Sequence, residues 1–134
     1  MTEALLDTDI LSFYFKGDFK VIENVNSYLK EFDQLNISII TYYEIIGGLK
    51  FKKANNQLKE FEIFVSNNNI IYISEESAQI SGDVYADLRS KGKIIGTSDI
   101  LIAGIALEND LTLVTNNKRH FEAISKLKIE NWKS

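Results

Sequence analysis

The sequence contains no cysteine, no proline and only one histidine, His120. The absence of cysteine excludes disulfide scaffolds, thiolate zinc sites and cysteine nucleophiles. A single histidine also excludes a metal site built from several imidazoles. Any metal site in this chain must therefore be built mainly from oxygen ligands.

Long apolar runs are also missing, since none approaches the about 20 residues needed to cross a bilayer. The N-terminus lacks the positive charge and apolar run of a signal peptide. The length of 134 residues, with 45% hydrophobic and 25% charged residues, is typical of a folded chain and excludes disorder. We expect one domain spanning residues 1–134, located in the cytoplasm and not associated with a membrane.

Strand-like and helix-like segments alternate along the chain. Helical segments are predicted over 8–15, from 18 to about 29, over 42–67 with a break at 53–56, over 77–91 and over 98–108. Strands are predicted over 4–6, 35–40, 70–73 and 111–114, with a last extended segment at 127–129. Strands separated by helices imply right-handed crossovers, so we expect an α/β domain whose central sheet is mainly parallel, with helices on both faces.

Three local expectations follow from the same patterns. We expect Thr41 to cap the third helix, and the strand over 70–73 to be buried. The second helix should bury one face, formed by Phe19, Ile22, Val25 and Leu29.

Acidic residues occur where predicted strands end or the next helix begins. Asp7 directly follows the first strand, and Glu44 and Asp99 are expected in the first turn of later helices. Each alone could simply complement a helix dipole. Because the carboxyl ends of parallel strands converge, however, the three carboxylates should crowd together and repel one another.

A hard divalent cation would remove that repulsion, and oxygen ligands without His or Cys suit Mg²⁺ or Mn²⁺ better than zinc. Such a cation can polarise a phosphodiester and activate water for in-line attack. The acidic residues therefore predict metal-dependent phosphoryl chemistry.

Four segments resemble, in order and spacing, the motifs of PIN-domain nucleases, specifically the VapC-type toxins of bacterial toxin–antitoxin pairs. They are residues 5–11 (LLDTDIL), 36–49 (NISIITYYEIIGGL), 95–107 (IGTSDILIAGIAL) and 113–121 (LVTNNKRHF). The resemblance extends over essentially the whole chain. It implies a three-layer PIN-like domain and an Mg²⁺- or Mn²⁺-dependent endoribonuclease that cuts single-stranded or loop RNA, with tRNA as one candidate. It also implies a VapB-like antitoxin as partner and a homodimer.

The resemblance assigns roles to individual residues. Asp7, Glu44 and Asp99 would be the acidic metal ligands. Asn117 lies where many members have a fourth acid, and would act as a neutral oxygen donor or bind a metal-bound water. His120 lies in the last of the four motifs and is expected to be structural on chemical grounds, since a metal-bound hydroxide needs no histidine base. Residues that would support the carboxylates or position the phosphate are Thr8, Asp9, Thr115 and Asn116.

Basic and aromatic side chains suggest binding surfaces. Lysines near helix ends are often only solvated dipole partners, but Lys50, Lys93, Lys118 and Arg119 could hold the RNA backbone beside the acidic pocket. The helices between residues 41 and 67 carry Phe51, Phe61 and Phe64, which could grip an antitoxin segment or belong to the core. An antitoxin could inhibit by covering the pocket or by inserting a basic side chain among the acids.

The net charge of −4 taken alone argues against a nucleic-acid partner, since phosphate affinity comes largely from basic residues. Part of that deficit lies in Asp7, Glu44 and Asp99, the residues assigned to the pocket. A bound divalent cation would reduce it. The remaining lysines and arginines need only occupy one face to hold a short RNA segment.

Three alternatives stay open. A receiver domain would need its acceptor aspartate after the third strand, where this chain has Ser74-Glu75-Glu76. A dehalogenase-type phosphatase would need an acidic cluster after a late strand, where this chain has Thr115-Asn116-Asn117. A PIN-like module that binds RNA or protein without cutting is the third, and the presence of all three acids argues against it.

Overall fold

A five-stranded parallel sheet forms the centre of the computed structural model, which describes all 134 residues. Every neighbouring pair of strands is parallel, in the order β3-β2-β1-β4-β5. The strands are β1 (Ala4–Leu6), β2 (Asn36–Ser38), β3 (Asn69–Ile71), β4 (Thr112–Val114) and β5 (Ile129–Glu130). This architecture confirms the predicted α/β class.

Seven helices connect the strands or follow them. They are α1 (Thr8–Phe15), α2 (Phe19–Leu29), α3 (Ile39–Phe51), α4 (Asn55–Ser66), α5 (Glu75–Ser90), α6 (Thr97–Glu108) and α7 (Lys118–Phe121). The predicted break between α3 and α4 is confirmed. The short helix α7 was not expected, because the sequence after β4 predicted only a turn.

Two apolar cores lie on opposite faces of the sheet. Leu6 packs in one core with residues of α1, α2 and α4, and Leu5 packs in the other with residues of α5, α6 and α7. Adjacent strand residues point to opposite faces, so β1 supplies both cores. The predicted arrangement of helices on both faces is thereby confirmed.

The path of the chain places a crevice between β1 and β4. From β1 the chain moves outward through β2 to β3, and it then returns to the other side of β1 to form β4 and β5. Ligand sites in parallel sheets lie beyond the carboxyl ends of the strands at such a reversal. Asp7 and Thr115 are the first residues after these two strands.

The buried face of α2 differs from the predicted one. Val21, Val25 and Tyr28 are buried, whereas Phe19 is 78% exposed and Leu29 is 40% exposed. The Tyr28 hydroxyl accepts a hydrogen bond from the Ala4 amide at 3.1 Å, which ties this face to β1. The apolar spacing of α2 fits two adjacent faces, and this tertiary contact selects one of them.

The third helix begins earlier than predicted. Ser38, not Thr41, is its N-cap, and the Ser38 Oγ accepts from the Thr41 amide at 3.0 Å. Glu44 therefore lies in the second turn of α3 rather than the first. Apolar Ile39 and Ile40 continue the strand pattern into the helix, so hydrophobicity alone does not mark this boundary.

The strand predicted over 70–73 is shorter and more exposed than expected. β3 ends at Ile71, and Tyr72 and Ile73 beyond it are 64% and 40% exposed. This strand pairs only with β2 and lies at the edge of the sheet, so one of its sides has no strand neighbour.

No helix in the chain has both the length and the hydropathy of a membrane-spanning helix.

Candidate functional site

Asp7 lies at the centre of the crevice and is held at both carboxylate oxygens. Its Oδ1 accepts from the Thr8 amide at 2.8 Å, as the N-cap of α1, and its Oδ2 accepts from the Thr115 hydroxyl at 2.8 Å. The residue is only 6% exposed. The ends of β1 and β4 thus fix this carboxylate in one orientation.

Burial raises the pKa of the Asp7 carboxyl to about 7. The negative charges of Asp9 and Asp99 contribute to this rise, and the hydrogen bonds from Thr115 and Thr8 oppose it. Without a cation, this part of the crevice therefore carries more negative charge than its surroundings can stabilise.

Asp9 contributes a carboxylate oxygen that has no partner. Its Oδ2 accepts from the Asn116 amide at 3.0 Å, but its Oδ1 is buried and makes no hydrogen bond. Burial, with a contribution from the charge of Asp99, raises the pKa of Asp9 above its usual value. A buried oxygen without a partner is costly, and a cation beside it would remove that cost.

Glu44 is tied to the site through Thr8. The Thr8 Oγ1 lies 2.6 Å from the Glu44 Oε1 and 3.0 Å from the Thr41 Oγ1. A hydroxyl has one proton, and the shorter contact is with a carboxylate, which cannot donate. Thr8 therefore donates to Glu44 and accepts from Thr41, so both threonines help to hold the glutamate.

Asp99 lies in the first turn of α6, where its Oδ2 is 2.9 Å from the His120 Nδ1. The same ring nitrogen is 2.7 Å from the side-chain Nδ2 of Asn117. The backbone N–H of Asn117 donates to the Thr115 Oγ1 at 2.9 Å. The sequence alone suggested a structural role for His120. Its spacing of three residues from Asn117, about one helical turn, is the signal that could have placed it at the site.

The sheet therefore places Asp7, Asp9 and Asp99 close enough for their negative charges to repel one another. Glu44 is joined to this group through its hydrogen bond with Thr8. No three acidic or histidine side chains lie at the spacing of a ready-made metal cage. Magnesium needs only one or two carboxylates and keeps several waters. The buried Asp7 carboxylate and the unpartnered Asp9 oxygen fit such a partly hydrated divalent cation.

The four basic residues predicted to hold RNA have no carboxylate partner within 4.0 Å. Lys118 and Arg119 open α7, immediately after Asn117. Lys93 lines a concavity of about 240 Å³ beside the start of α6, together with Arg89. Lys50 lies in the last turn of α3, about 9 Å along the helix axis from Glu44.

A groove of about 220 Å³ runs between α1, α3 and α4. Phe15, Ile45, Leu49 and Phe61 form its apolar part. Of the phenylalanines expected at a binding surface, Phe61 is 1% exposed and belongs to the core, whereas Phe51 is 88% exposed and does not line the groove.

Comparison with known proteins identifies relatives over nearly the whole chain. The family model described as "PIN domain" matches residues 4–127. Ribonuclease VapC2 of Rickettsia felis is 34% identical over 129 residues, which are 96% of each chain. The tRNA(fMet)-specific endonuclease VapC of Shigella flexneri is 33% identical over 138 aligned positions, covering 98% of this chain and 99% of the relative.

A solved structure agrees with these sequence matches. The crystal structure of VapBC2 from Rickettsia felis, bound to a DNA fragment from their promoter, contains a chain that superposes with a TM-score of 0.88. That chain is 33% identical, and the match covers 96% of the present chain and 98% of the other.

Proposed function

The chain belongs to the PIN-domain family of VapC-type ribonucleases, and on that premise we propose that it is a divalent-metal-dependent endoribonuclease. In the cell it would be the toxin of a toxin–antitoxin pair. The observation that carries the proposal is the convergence of Asp7, Asp9 and Asp99 beyond β1, with the Asp7 pKa raised to about 7 and a buried Asp9 oxygen left unpartnered.

Asp7, Glu44 and Asp99 would hold Mg²⁺ or Mn²⁺, directly or through water, and Asp9 Oδ1 offers a further oxygen. When bound, the cation would polarise the scissile phosphodiester and make water a better nucleophile. Thr115 and the Thr8 amide keep the Asp7 carboxylate fixed. Thr8 holds Glu44, and the Asn116 amide holds one oxygen of Asp9. The chain thus supplies an oriented acidic surface before substrate arrives.

We propose that the substrate is RNA with an accessible single strand or loop, and tRNA is the first candidate to test. Lys118 and Arg119 are the first two residues of α7 and directly follow Asn117 in the chain. Lys93 and Arg89 lie beside the start of the helix that carries Asp99. These unpaired cations would contact backbone phosphates on either side of the cleaved bond.

We propose that the groove between α1, α3 and α4 receives a segment of a VapB-like antitoxin. The exposed Phe15 ring and the half-buried side chains of Ile45 and Leu49 offer it an apolar surface. Two lysines, Lys16 and Lys52, and one acid, Glu60, line the same groove. A segment with apolar residues on one face and acidic residues beside them would match this chemistry. The relative from Rickettsia felis was solved as a VapBC2 complex, which supports a partner of this class.

We further propose that residues 1–134 form one nuclease domain that assembles as a homodimer. Trp132 lies beyond the segment matched to the family, yet it is 2% exposed and packs against Tyr28 with ring centroids 5.6 Å apart. Removal of the last residues should therefore destabilise the fold.

The proposed homodimer is tested by light scattering coupled to gel filtration, which measures the mass of the assembly.

The proposed activity is tested with purified, antitoxin-free protein and total RNA containing tRNA, in Mg²⁺ or Mn²⁺, with and without EDTA. Asp7→Asn and Asp99→Asn should abolish cleavage. Asp33→Asn is the matched control, because Asp33 lies before β2 and so near the opposite end of the sheet. Cleavage that persists in EDTA, or that equals wild type in the two site variants, would contradict the metal site. Folded protein that never cleaves would favour the RNA- or protein-binding module.

A further inference from the structure

The chain's only histidine contacts one of the proposed metal ligands. His120 lies in α7, and its Nδ1 is 2.9 Å from the Asp99 Oδ2. The side chain of Asp99 is 23% exposed and that of His120 is 54% exposed. The next residue, Phe121, is fully buried in the core that also contains α6. This anchor holds the backbone of α7 next to the helix that carries Asp99.

The protons in this contact can be assigned from chemistry. An ionised carboxylate only accepts hydrogen bonds, so the Nδ1 must carry a proton directed at the Asp99 Oδ2. A protonated Nδ1 cannot accept from the Asn117 amide nitrogen placed 2.7 Å away. The side-chain amide of Asn117 must therefore present its oxygen to the ring, since its two terminal atoms exchange by a simple flip. The one Nδ1 proton is then shared between the Asp99 Oδ2 and the Asn117 side-chain oxygen.

We propose that His120 is a positioning residue for the metal site, and this proposal rests on the proposed function. Its Nδ1–H occupies the Asp99 Oδ2 and leaves the Asp99 Oδ1 for the cation. A hydrogen bond to one oxygen of a ligating carboxylate fixes its orientation, and loss of such a partner typically costs 10–100-fold in metal affinity or activity. His120 thus acts on the metal through Asp99 and does not itself act on RNA.

Two substitutions separate this role from simple packing. His120→Ala removes the donor, whereas His120→Asn places an amide N–H close to where the Nδ1 lies. Mn²⁺ affinity, measured by the electron paramagnetic resonance signal of free Mn²⁺, should fall about 10–100-fold in the alanine variant and recover to near wild type in the asparagine variant. Cleavage by His120→Ala should be restored by raising the Mn²⁺ concentration, with the KM for RNA unchanged at saturating Mn²⁺.

Because there is one histidine, its ring nitrogens can be observed without ambiguity by ¹⁵N NMR. At pH 8 in EDTA the wild type should show the Nδ1–H form, and Asp99→Ala should shift the ring toward the Nε2–H form. An Nε2–H ring in wild type, or wild-type Mn²⁺ affinity in His120→Ala, would overturn the proposal. If the wild type binds no Mn²⁺, the proposed function fails together with this role, whereas failure of the NMR result alone overturns only the His120 contact.

Discussion

The Thr115 hydroxyl donates to the Asp7 Oδ2 at 2.8 Å and thereby joins the ends of β4 and β1, two positions 108 residues apart in the chain. The same hydroxyl oxygen accepts from the Asn117 amide at 2.9 Å. One threonine thus connects the first acidic motif to the last motif. This link fixes the orientation of a carboxylate that is buried and repelled by its acidic neighbours, so the ionised form of Asp7 costs stability.

That cost should appear in the pH dependence of stability in EDTA. The Asp7 pKa is raised from 3.8 to about 7 in the folded state, so between these values the folded protein binds more protons than the unfolded chain. The free energy of unfolding should therefore fall as pH rises from about 4 to about 7, by up to about 4 kcal/mol from this group. Asp7→Asn should flatten this slope and stabilise the cation-free protein at pH 8.

Urea denaturation from pH 4.5 to pH 8.5 would measure the effect, with Asp33→Asn as the control that keeps the wild-type slope. Addition of Mn²⁺ should stabilise the wild type more at pH 8 than at pH 5.5, and should not stabilise Asp7→Asn to the same extent. Identical slopes for wild type and Asp7→Asn would contradict the raised pKa.

The acidic residues were predictable because each lies in a short local pattern. Asp7 follows three apolar residues that form β1, and Asp99 follows the Gly96 that precedes α6. Parallel strands place such residues at one edge whatever the rest of the chain does. The parallel sheet with helices on both faces was predictable for the same reason, since it depends on the alternation of strands and helices rather than on particular contacts.

Other features depend on contacts between distant segments, so local sequence patterns do not predict them. Tyr28 is buried because it reaches the Ala4 amide, and His120 joins the site because α7 forms and packs on α6. The unpartnered oxygen of Asp9 appears only once the Asn116 amide has occupied the other oxygen. Each of these needs the tertiary structure before its role can be seen.

The hydroxyl of Thr8 should affect RNA cleavage more than the size of the Thr8 side chain does. Thr8→Val removes the proton donated to Glu44, whereas Thr8→Ser keeps it. We expect Thr8→Val to lower kcat for RNA cleavage about 10–100-fold, as is usual for groups that orient metal-binding carboxylates, and Thr8→Ser to stay within a few-fold of wild type. Single-turnover cleavage at saturating RNA measures the change. Equal rates in the two variants would show that Glu44 needs no support from Thr8.

The basic concavity beside α6 should contribute to RNA binding through charge. Arg89 lies over the Tyr85 ring at 5.2 Å and, like Lys93, has no carboxylate partner, whereas the neighbouring Lys91 is paired with Asp87 at 2.9 Å. Removing a cation that contacts RNA should weaken binding and reduce the salt dependence, by about 0.7 in the slope of log K against log salt for each phosphate contact.

Fluorescence anisotropy with labelled RNA, in the non-cleaving Asp7→Asn background, would test Arg89→Ala and Lys93→Ala separately and together. Lys91→Ala is the matched control, since its charge is already paired on the helix surface. If all three variants change the affinity and the salt slope equally, the concavity has no special part in binding RNA.

The close packing of α5 on α6 should make one glycine intolerant of substitution. A Cβ at Gly104 would clash with the Ser81 hydroxyl and lie 2.7 Å from the Ser77 carbonyl oxygen. A backbone carbonyl cannot rotate away, so α6 must move. We expect Gly104→Ala to lower the free energy of unfolding by about 1–3 kcal/mol and to reduce cleavage, because α6 carries Asp99.

Gly82→Ala is the matched control for that substitution. Gly82 lies inside α5 with no atom within 4 Å of an added Cβ. Alanine there should stabilise the protein by about 0.5–1 kcal/mol through helix propensity and leave cleavage unchanged. Thermal denaturation of both variants gives the comparison. Wild-type stability in Gly104→Ala would mean that α5 and α6 can separate freely, and Asp99 would then not be held in place by this packing.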